Sequence, residues 1–144
     1  MLSQAGIALM RVLGQLPLGW VRAMGKGLGW LLYLLAGSRR RVVQVNLRLC
    51  FPQISADRRD AMARQTFVYF AQAWLDRGWL WHGSSDQLHR RLRLTGAVQE
   101  LHGDQPTVIF APHFVGLDAG WTALTEQLPR AFTTIYSNQA DPRL

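Results

Sequence analysis

The chain has 144 residues, which is enough for one domain with a hydrophobic core of its own. Its one cysteine, Cys50, excludes an internal disulfide framework, and its four histidines do not have the spacing of zinc ligands. The sequence therefore predicts no bound metal and no cofactor.

The formal net charge is +7, and all of it comes from the first 56 residues, which contain no Asp or Glu. In residues 57–144 the basic and acidic residues cancel. The basic stretch is also rich in Leu, Val, Gly and Trp. This mixture favours an anionic membrane as partner and argues against nucleic acid, whose binding regions are richer in polar spacers and stacking aromatic residues.

Residues 1–37 are predicted to form a membrane-associated segment of one or two helices, divided near Pro17. Arg11, Arg22 and Lys26 interrupt every apolar window of about 20 residues that a spanning helix would need. Their spread along the segment also argues against a cleaved signal peptide. Embedded helices and interfacial helices both remain open, as does a buried helical hairpin in a soluble protein.

Two aromatic positions, Trp20 and Trp30, together with Tyr33 suit the headgroup level of a bilayer. The triple arginine 39–41 follows the apolar segment directly. Because basic residues near a membrane segment tend to stay on the cytoplasmic side, we expect attachment to the cytoplasmic face of the membrane.

Two helices are predicted next. Residues 39–51 form the first, with Arg41, Gln44 and Arg48 in one polar stripe and an apolar stripe beside it made of Val42, Val45 and Leu49. The segment "FPQIS" ends this helix, and Ser55 is a candidate N-cap for the second. The second helix carries an apolar stripe that we expect to be one packed face, with an acyl-chain groove as the less favoured alternative. The residues of this stripe are Phe67, Ala71, Trp74, Gly78 and Trp81.

In the remainder of the chain, the sequence predicts alternating strands and helices. Residues 91–96, 107–111 and 131–137 have the composition of strands, and the last two flank a helical pattern over 116–128. Short helices are expected at "QLHRRL" (87–92) and "AVQELHG" (97–103). Strand, helix and strand with short connections form a βαβ unit, so the predicted class is α/β.

The stretch "APHFVGLD" places His113 and Asp118 at the end of the predicted strand 107–111. The crevice at the carboxyl end of a parallel strand is a common ligand site. With His113 in the turn and Asp118 in the first turns of the helix, the carboxylate could reach the imidazole and fix its tautomer, which would leave the other ring nitrogen as a general base. The alternative to a catalytic pair is a structural one, in which Asp118 is an acidic residue that is favourable near a helix N-terminus and His113 is a residue of the turn.

Several stretches together resemble one family, the bacterial lipid A biosynthesis acyltransferases that transfer lauroyl or myristoyl groups. They are "LLYLLAGSRRRVVQVNLRLCFP", "DRGWLWHGS", "VIFAPHFVGLD" and "IYSNQADP", and the resemblance covers residues 1–144. It implies transfer of a fatty acyl group from acyl carrier protein to a hydroxyl of a lipid A precursor at the bacterial inner membrane. It also implies that His113 is the base and that Asp118 orients it, with no covalent acyl-enzyme.

Family members are about twice this length, so we expect the chain to be the N-terminal half of such an enzyme and inactive alone. The corresponding division is a membrane-associated segment, 1–37, and the first part of an α/β acyltransferase domain, 38–144. Arg90, Arg91 and Arg93 are candidates for docking the acidic acyl carrier protein, although a solvated helix and strand edge is the favoured interpretation.

Two other functions remain open. The first is a non-catalytic membrane-surface protein or inactive fragment that uses only the basic residues 1–56. The second is an acyltransferase for another glycolipid or an aminolipid.

Overall fold

A computed structural model describes residues 2–103 and 105–135. These residues form six α-helices and one short 3₁₀ helix. In chain order the α-helices are α1 (Leu2–Gln15), α2 (Leu18–Leu35), α3 (Gly37–Cys50), α4 (Ala56–His82), α5 (Ser85–Arg91) and α6 (Leu117–Gln127), and the 3₁₀ helix (Val98–Leu101) lies between α5 and α6.

The predicted helices are confirmed, because their start and stop signals are local. Pro17 separates α1 from α2, and its carbonyl oxygen accepts the first backbone hydrogen bond of α2, from the amide of Trp20 at 3.0 Å. Ser55 caps α4 by accepting a hydrogen bond from the amide of Arg58 at 3.4 Å. Within residues 2–103 and 105–135, none of the helices combines the length and the apolar character needed to cross a membrane.

The predicted βαβ unit does not form among the described residues, which contain helices and no strand. Residue 91 belongs to α5, and residues 92–96, 107–111 and 131–135 are not paired into a sheet. The predicted strand 131–137 also extends past the described residues. A strand is stabilised by hydrogen bonds to a neighbouring strand. Val108 and Ile135, which are 97% and 99% exposed, have no such neighbour in the described part of the chain.

The predicted packed face of α4 is wrong at two of its five positions. Trp74 and Trp81 are exposed, whereas Leu75 and Trp79 are buried in their place. The buried face continues from Phe67 in steps of four residues, and each such step turns the face by about 40° around an α-helix. The buried face therefore rotates around the axis of this long helix. The predicted stripe, which included steps of seven residues, does not follow this rotation.

Contacts divide the chain into two compact units. One comprises residues 16–76, and the other comprises residues 1–15 together with 77–144, so that α4 contributes to both. The predicted division after residue 37 stays a prediction. The two units are described separately below.

In the unit of residues 16–76, α2 packs directly on the backbone of α4. A Cβ atom added to Gly29 would lie 2.4 Å from the Cα atom of Val68, and one added to Gly25 would lie 2.9 Å from the Cα atom of Gln72. Only glycine permits this approach. The buried core beside it contains Tyr33 and Phe67, whose rings meet edge to face with centroids 5.6 Å apart.

A polar network borders this core. The hydroxyl of Tyr33 donates a hydrogen bond to Asp60 Oδ1 at 2.6 Å, and Arg64 forms an ion pair with Asp60 Oδ2. The hydrogen bond from Tyr33, followed by the positive charge of Arg64, lowers the pKa of the Asp60 carboxyl. The same hydrogen bond, followed by burial, raises the pKa of Tyr33.

In the other unit, α1 packs against the C-terminal turns of α4. A Cβ atom on Gly14 would lie 2.7 Å from the carbonyl oxygen of Gly78, so the two backbones are in direct contact. Leu13 is almost fully buried nearby. Gln87 of α5 donates a hydrogen bond to the carbonyl oxygen of Gly14 at 3.0 Å, which satisfies one of the free carbonyls at the end of α1.

Candidate active site

His113 and Asp118 lie on either side of a tight turn that leads into α6. Gly116 precedes the helix with φ 91°, a left-handed conformation that favours glycine. The amide of Leu117 donates a hydrogen bond to the carbonyl oxygen of Phe114 at 3.2 Å, which closes the turn. His113 is therefore in the turn and Asp118 in the first turn of the helix, at the sequence positions expected of them.

The side chain of Asp118 contacts an arginine. The Nε atom of Arg77, on α4, donates to Asp118 Oδ2 at 2.8 Å. Both side chains are about two-fifths exposed, with values of 38% and 44%, so the ion pair is partly screened by water. The position of Asp118 in the first helical turn also favours its negative charge, because free backbone amides point toward that end.

The guanidinium of Arg77 also lies over an aromatic ring. Its central carbon lies 5.5 Å from the ring centroid of Trp81, one helical turn along α4. A guanidinium over an aromatic face gains a cation–π attraction and loses rotational freedom. The stacking and the ion pair together fix Arg77 between α4 and α6 within this unit.

The imidazole of His113 does not contact Asp118 in the described part of the chain. No hydrogen bond or ion pair there joins the two side chains, and His113 is exposed. In the same described residues, Asp118 Oδ1 accepts no hydrogen bond, so this oxygen has both lone pairs available.

A large apolar cavity opens beside Asp118. Its volume is about 820 Å³, which is in the range of ligand sites for small molecules and chains. The ionisable groups of the lining are Asp118 and Arg130, and the rest of the wall consists of aromatic and aliphatic side chains and four threonines. The apolar lining includes Trp81, Val108, Ile109, Trp121, Phe132 and Ile135, whereas His113 is not part of it.

Two arginines of the site were not singled out as site residues in the sequence: Arg77, which contacts Asp118, and Arg130, which lines the cavity. Arg77 is 41 positions from Asp118, and only the folded chain brings them together. Arg130, a basic residue of the lining, donates hydrogen bonds to the carbonyl oxygens of Leu101 and Gln105 at 2.8 and 2.9 Å. The spacing of Arg77 and Trp81, four residues apart in a predicted helix, is the sequence signal that could have pointed to Arg77.

The three arginines considered for docking a protein partner are not equivalent. Arg91 is half-buried, and its guanidinium lies 5.2 Å from the ring centroid of Trp79. Arg90 and Arg93 are exposed. The solvated edge expected of all three therefore holds for Arg90 and Arg93 but not for Arg91, and docking of acyl carrier protein stays a prediction.

Comparisons with known proteins define the class. Residues 1–144 match the family described as bacterial lipid A biosynthesis acyltransferase, so the chain belongs to that family. No solved structure matches the chain.

Two relatives are similar over most of this chain. A protein named lipid A biosynthesis acyltransferase, from Haemophilus influenzae, is 29% identical over 119 residues, which cover 80% of this chain and 38% of the relative. A protein named lipid A biosynthesis lauroyltransferase, from Escherichia coli K12, is 25% identical over 122 residues, which cover 83% of this chain and 40% of the relative. The chain thus spans about two-fifths of the length of these relatives.

Proposed function

We propose that the chain is the N-terminal part of an enzyme that transfers a fatty acyl group from acyl carrier protein to a hydroxyl of a lipid A precursor. Membership of the lipid A acyltransferase family supports acyl transfer as the reaction class. The structural observation that carries the proposal is the carboxylate of Asp118 at the edge of an apolar cavity of about 820 Å³. Such a cavity suits an aliphatic chain, and a carboxylate in its wall suits stabilisation of a protonated imidazole.

In the proposed reaction, His113 takes the proton of the acceptor hydroxyl. The hydroxyl oxygen forms a bond to the thioester carbon, the carbon–sulfur bond breaks, and the imidazolium returns the proton to the leaving thiolate. A neutral hydroxyl is a poor nucleophile, and a positioned base contributes about 10²- to 10⁴-fold to the rate. The carboxylate of Asp118 stabilises the imidazolium while it carries the proton.

Arg77 has a positioning role in this proposal. It holds Asp118 through Oδ2, which leaves Oδ1 for the imidazole of His113. The catalytic pair then forms when the exposed His113 turns toward Oδ1. Catalytic hydrogen bonds commonly tighten only when substrate is bound, so a separated pair is compatible with this chemistry.

We further propose that the protein attaches to the cytoplasmic face of the inner membrane through α2. One face of α2 packs on α4, while the opposite face exposes large apolar side chains. They are Trp20, Met24, Trp30, Leu31, Leu34 and Leu35, which occupy a single broad stripe. An apolar helix face with basic residues beside it is typical of helices that lie in the membrane interface, and the acyl acceptor is itself a membrane lipid.

The α/β architecture remains part of the proposal. Segments 107–111 and 131–135 are rich in β-branched and aromatic residues, and the relatives are much longer than this chain. We propose that both segments pair as parallel strands in a chain of the relatives' length, with His113 and Asp118 at the carboxyl end of the first.

The experiment is an acyl-transfer assay on the protein expressed from its complete reading frame, with acyl carrier protein thioester as donor. The His113→Ala variant is expected to lose about 10²- to 10⁴-fold in kcat. The matched control is His102→Ala, which removes another exposed histidine of the same unit and is expected to retain activity.

Both variants are expected to bind vesicles as the parent protein does. Retention of full turnover in His113→Ala would eliminate the proposed base. Binding to vesicles without any acyl transfer by the parent protein would favour a non-catalytic membrane-surface protein, and transfer to a different glycolipid or to an aminolipid would reassign the acceptor.

A further inference from the structure

A second cavity, in the unit of residues 16–76, is bordered by basic residues of α3 and α4. Its volume is about 240 Å³. The lining residues are Arg41, Gln44, Arg48, Ala56, Arg59 and Asp60. Three guanidinium groups therefore surround one carboxylate, and the cavity carries an excess of positive charge.

The carboxylate is already satisfied within the network described above. Asp60 accepts hydrogen bonds from Tyr33 and from Gln44 and forms an ion pair with Arg64. It is therefore compensated mainly by groups other than the three arginines of the cavity. The excess positive charge of those arginines remains available to a ligand.

The three arginines differ in how many hydrogen bonds their guanidinium groups donate to the chain. The Nη1 atom of Arg59 donates to the carbonyl oxygens of Phe51, Pro52 and Ile54, so this guanidinium is anchored to the chain. Arg41 and Arg48 are exposed, and neither forms an ion pair or hydrogen bond with the described residues. One fixed and two free guanidiniums border the same space. The planar fork of arginine matches phosphate oxygens in pairs, which makes phosphate the preferred anion.

The helix that carries the two free arginines also points to the source of the phosphate. Arg41 and Arg48 are two helical turns apart on α3, and each is followed directly by an exposed apolar residue, Val42 and Leu49. Leu49 is 75% exposed, so this second stripe does not belong to the core. A cationic stripe beside an apolar stripe suits a bilayer surface, where the apolar side chains enter the acyl region and the guanidiniums meet the headgroups.

We propose that Arg41, Arg48 and Arg59 form a binding site for the phosphate group of a membrane lipid headgroup. The site lies entirely in residues 16–76 and does not depend on the chemistry assigned to His113. It uses the proposed membrane attachment only to identify the source of the phosphate. The proposed reaction and this site can therefore fail independently.

The test measures binding of the full chain to vesicles, with no acyl donor present. Phosphatidylcholine vesicles containing phosphatidic acid present a phosphate monoester. Vesicles containing cholesteryl hemisuccinate at the same surface charge present a carboxylate instead. The site variant carries Arg41→Gln and Arg48→Gln, and the matched control carries Arg39→Gln and Arg58→Gln.

The control removes the same charge from exposed positions of α3 and α4, the two helices that border the cavity, but outside its lining. On phosphatidic acid vesicles the site variant is expected to bind about tenfold more weakly than the control, because it loses phosphate coordination in addition to general attraction. On carboxylate vesicles the two variants are expected to agree within about twofold. Equal losses in both variants on phosphatidic acid would overturn the site.

A second comparison separates charge from geometry. The variant with Arg41→Lys and Arg48→Lys keeps both charges but lacks the guanidinium fork, and we expect its affinity for phosphatidic acid to fall between those of the parent and the glutamine variant. If the lysine variant bound phosphatidic acid vesicles as tightly as the parent, recognition of phosphate by the guanidinium fork would be overturned. A circular dichroism spectrum unchanged from the parent confirms that each variant is folded.

A third comparison identifies the source of the phosphate. Inorganic phosphate is expected to release no more of the vesicle-bound chain than chloride does at the same ionic strength. Release by phosphate alone would reassign the cavity to a free phosphate and would overturn the lipid headgroup as its ligand.

Discussion

The unit of residues 16–76 and the segment 105–135 of the other unit differ in how far their apolar side chains are buried. In the first, glycines bring α2 and α4 into backbone contact, and Tyr33 and Asp60 satisfy each other at the edge of the core. In the second, apolar side chains such as Val108 and Phe110 are more than nine-tenths exposed. Both regions are apolar in sequence. Helices complete their backbone hydrogen bonds internally, whereas the extended residues 107–111 and 131–135 have no paired neighbour among the described residues.

The largest expected effect on stability is a direct test of the first region. Gly29→Ala places a Cβ atom against the backbone of Val68, and we expect it to lower the free energy of unfolding by about 2–3 kcal/mol. Gly27→Ala, two residues earlier in the same helix, faces open space and is expected to raise the free energy of unfolding by up to about 1 kcal/mol.

Urea denaturation followed by circular dichroism measures both variants. Opposite signs are the predicted result. Equal small effects at the two positions would show that α2 does not approach α4 as closely as described.

Removal of Arg77 tests the contact between α4 and Asp118 of the second region. Arg77→Gln leaves Asp118 without its partner, and we expect kcat for acyl transfer to fall by about 10- to 100-fold with little change in KM. Arg77→Lys is expected to recover part of the loss, because it keeps the charge but not the fork or the stacking on Trp81. The free energy of unfolding is expected to change by less than about 1 kcal/mol, since the ion pair is partly exposed.

The control for Arg77 is Arg58→Gln, which removes an exposed arginine of the same helix. Kinetics of the protein expressed from its complete reading frame, together with thermal unfolding, separate the two effects. A loss of activity that only mirrors a loss of stability would contradict the positioning role.

The pH dependence of stability should reveal the polar network of residues 16–76. The lowered pKa of Asp60 means that its contribution is present above its unfolded pKa near 3.8 and is lost as the pH falls through the lower folded value. The raised pKa of Tyr33 means that its contribution is present below pH 10.0 and is lost as the pH rises through the higher folded value. We therefore expect the stability curve to fall at both ends.

Single variants show which residue causes the loss of stability at acid pH and which causes the loss at alkaline pH. Tyr33→Phe is expected to weaken both of them, because the hydrogen bond belongs to both groups. Asp60→Asn is expected to flatten the acid limb. Thermal unfolding from acid to alkaline pH provides the measurement, and an acid limb unchanged in Asp60→Asn would assign it to other carboxyl groups.

The smallest effect concerns the exposed segment 107–111. In this chain Val108→Thr is expected to change the free energy of unfolding by less than about 0.5 kcal/mol, because the side chain is already in water. In a chain of the relatives' length, we expect a cost of about 1–2 kcal/mol if the segment is a buried strand. An equal, negligible effect in both proteins would argue against the proposed sheet.

Sequence patterns predicted the parts of the fold that depend on neighbouring residues. The break at Pro17, the cap at Ser55 and the limits of α3 and α6 all follow from signals within a few positions. The exposed positions of Trp74 and Trp81 could not be predicted, because the rotation of the buried face along α4 depends on what packs against it.

The candidate site was predictable only in part. The positions of His113 and Asp118 around a turn follow from the local pattern, and their catalytic roles remain a proposal. Arg77 could not be predicted, because its contact with Asp118 joins residues 41 positions apart. The polar stripe of Arg41 and Arg48 was visible in the sequence, but Arg59, which completes the second cavity, comes from the next helix.

The central claim is that His113 and Asp118 act as one catalytic unit, and a double-mutant cycle in the acyl-transfer assay tests it most directly. We expect His113→Ala to lose about 10²- to 10⁴-fold in kcat, and Asp118→Asn to cause a large loss of its own. The double variant should lose no more than the more severe single variant, because residues that act as a unit are not additive. Losses that multiply in the double variant would show that the two residues act independently and would contradict the proposed pair.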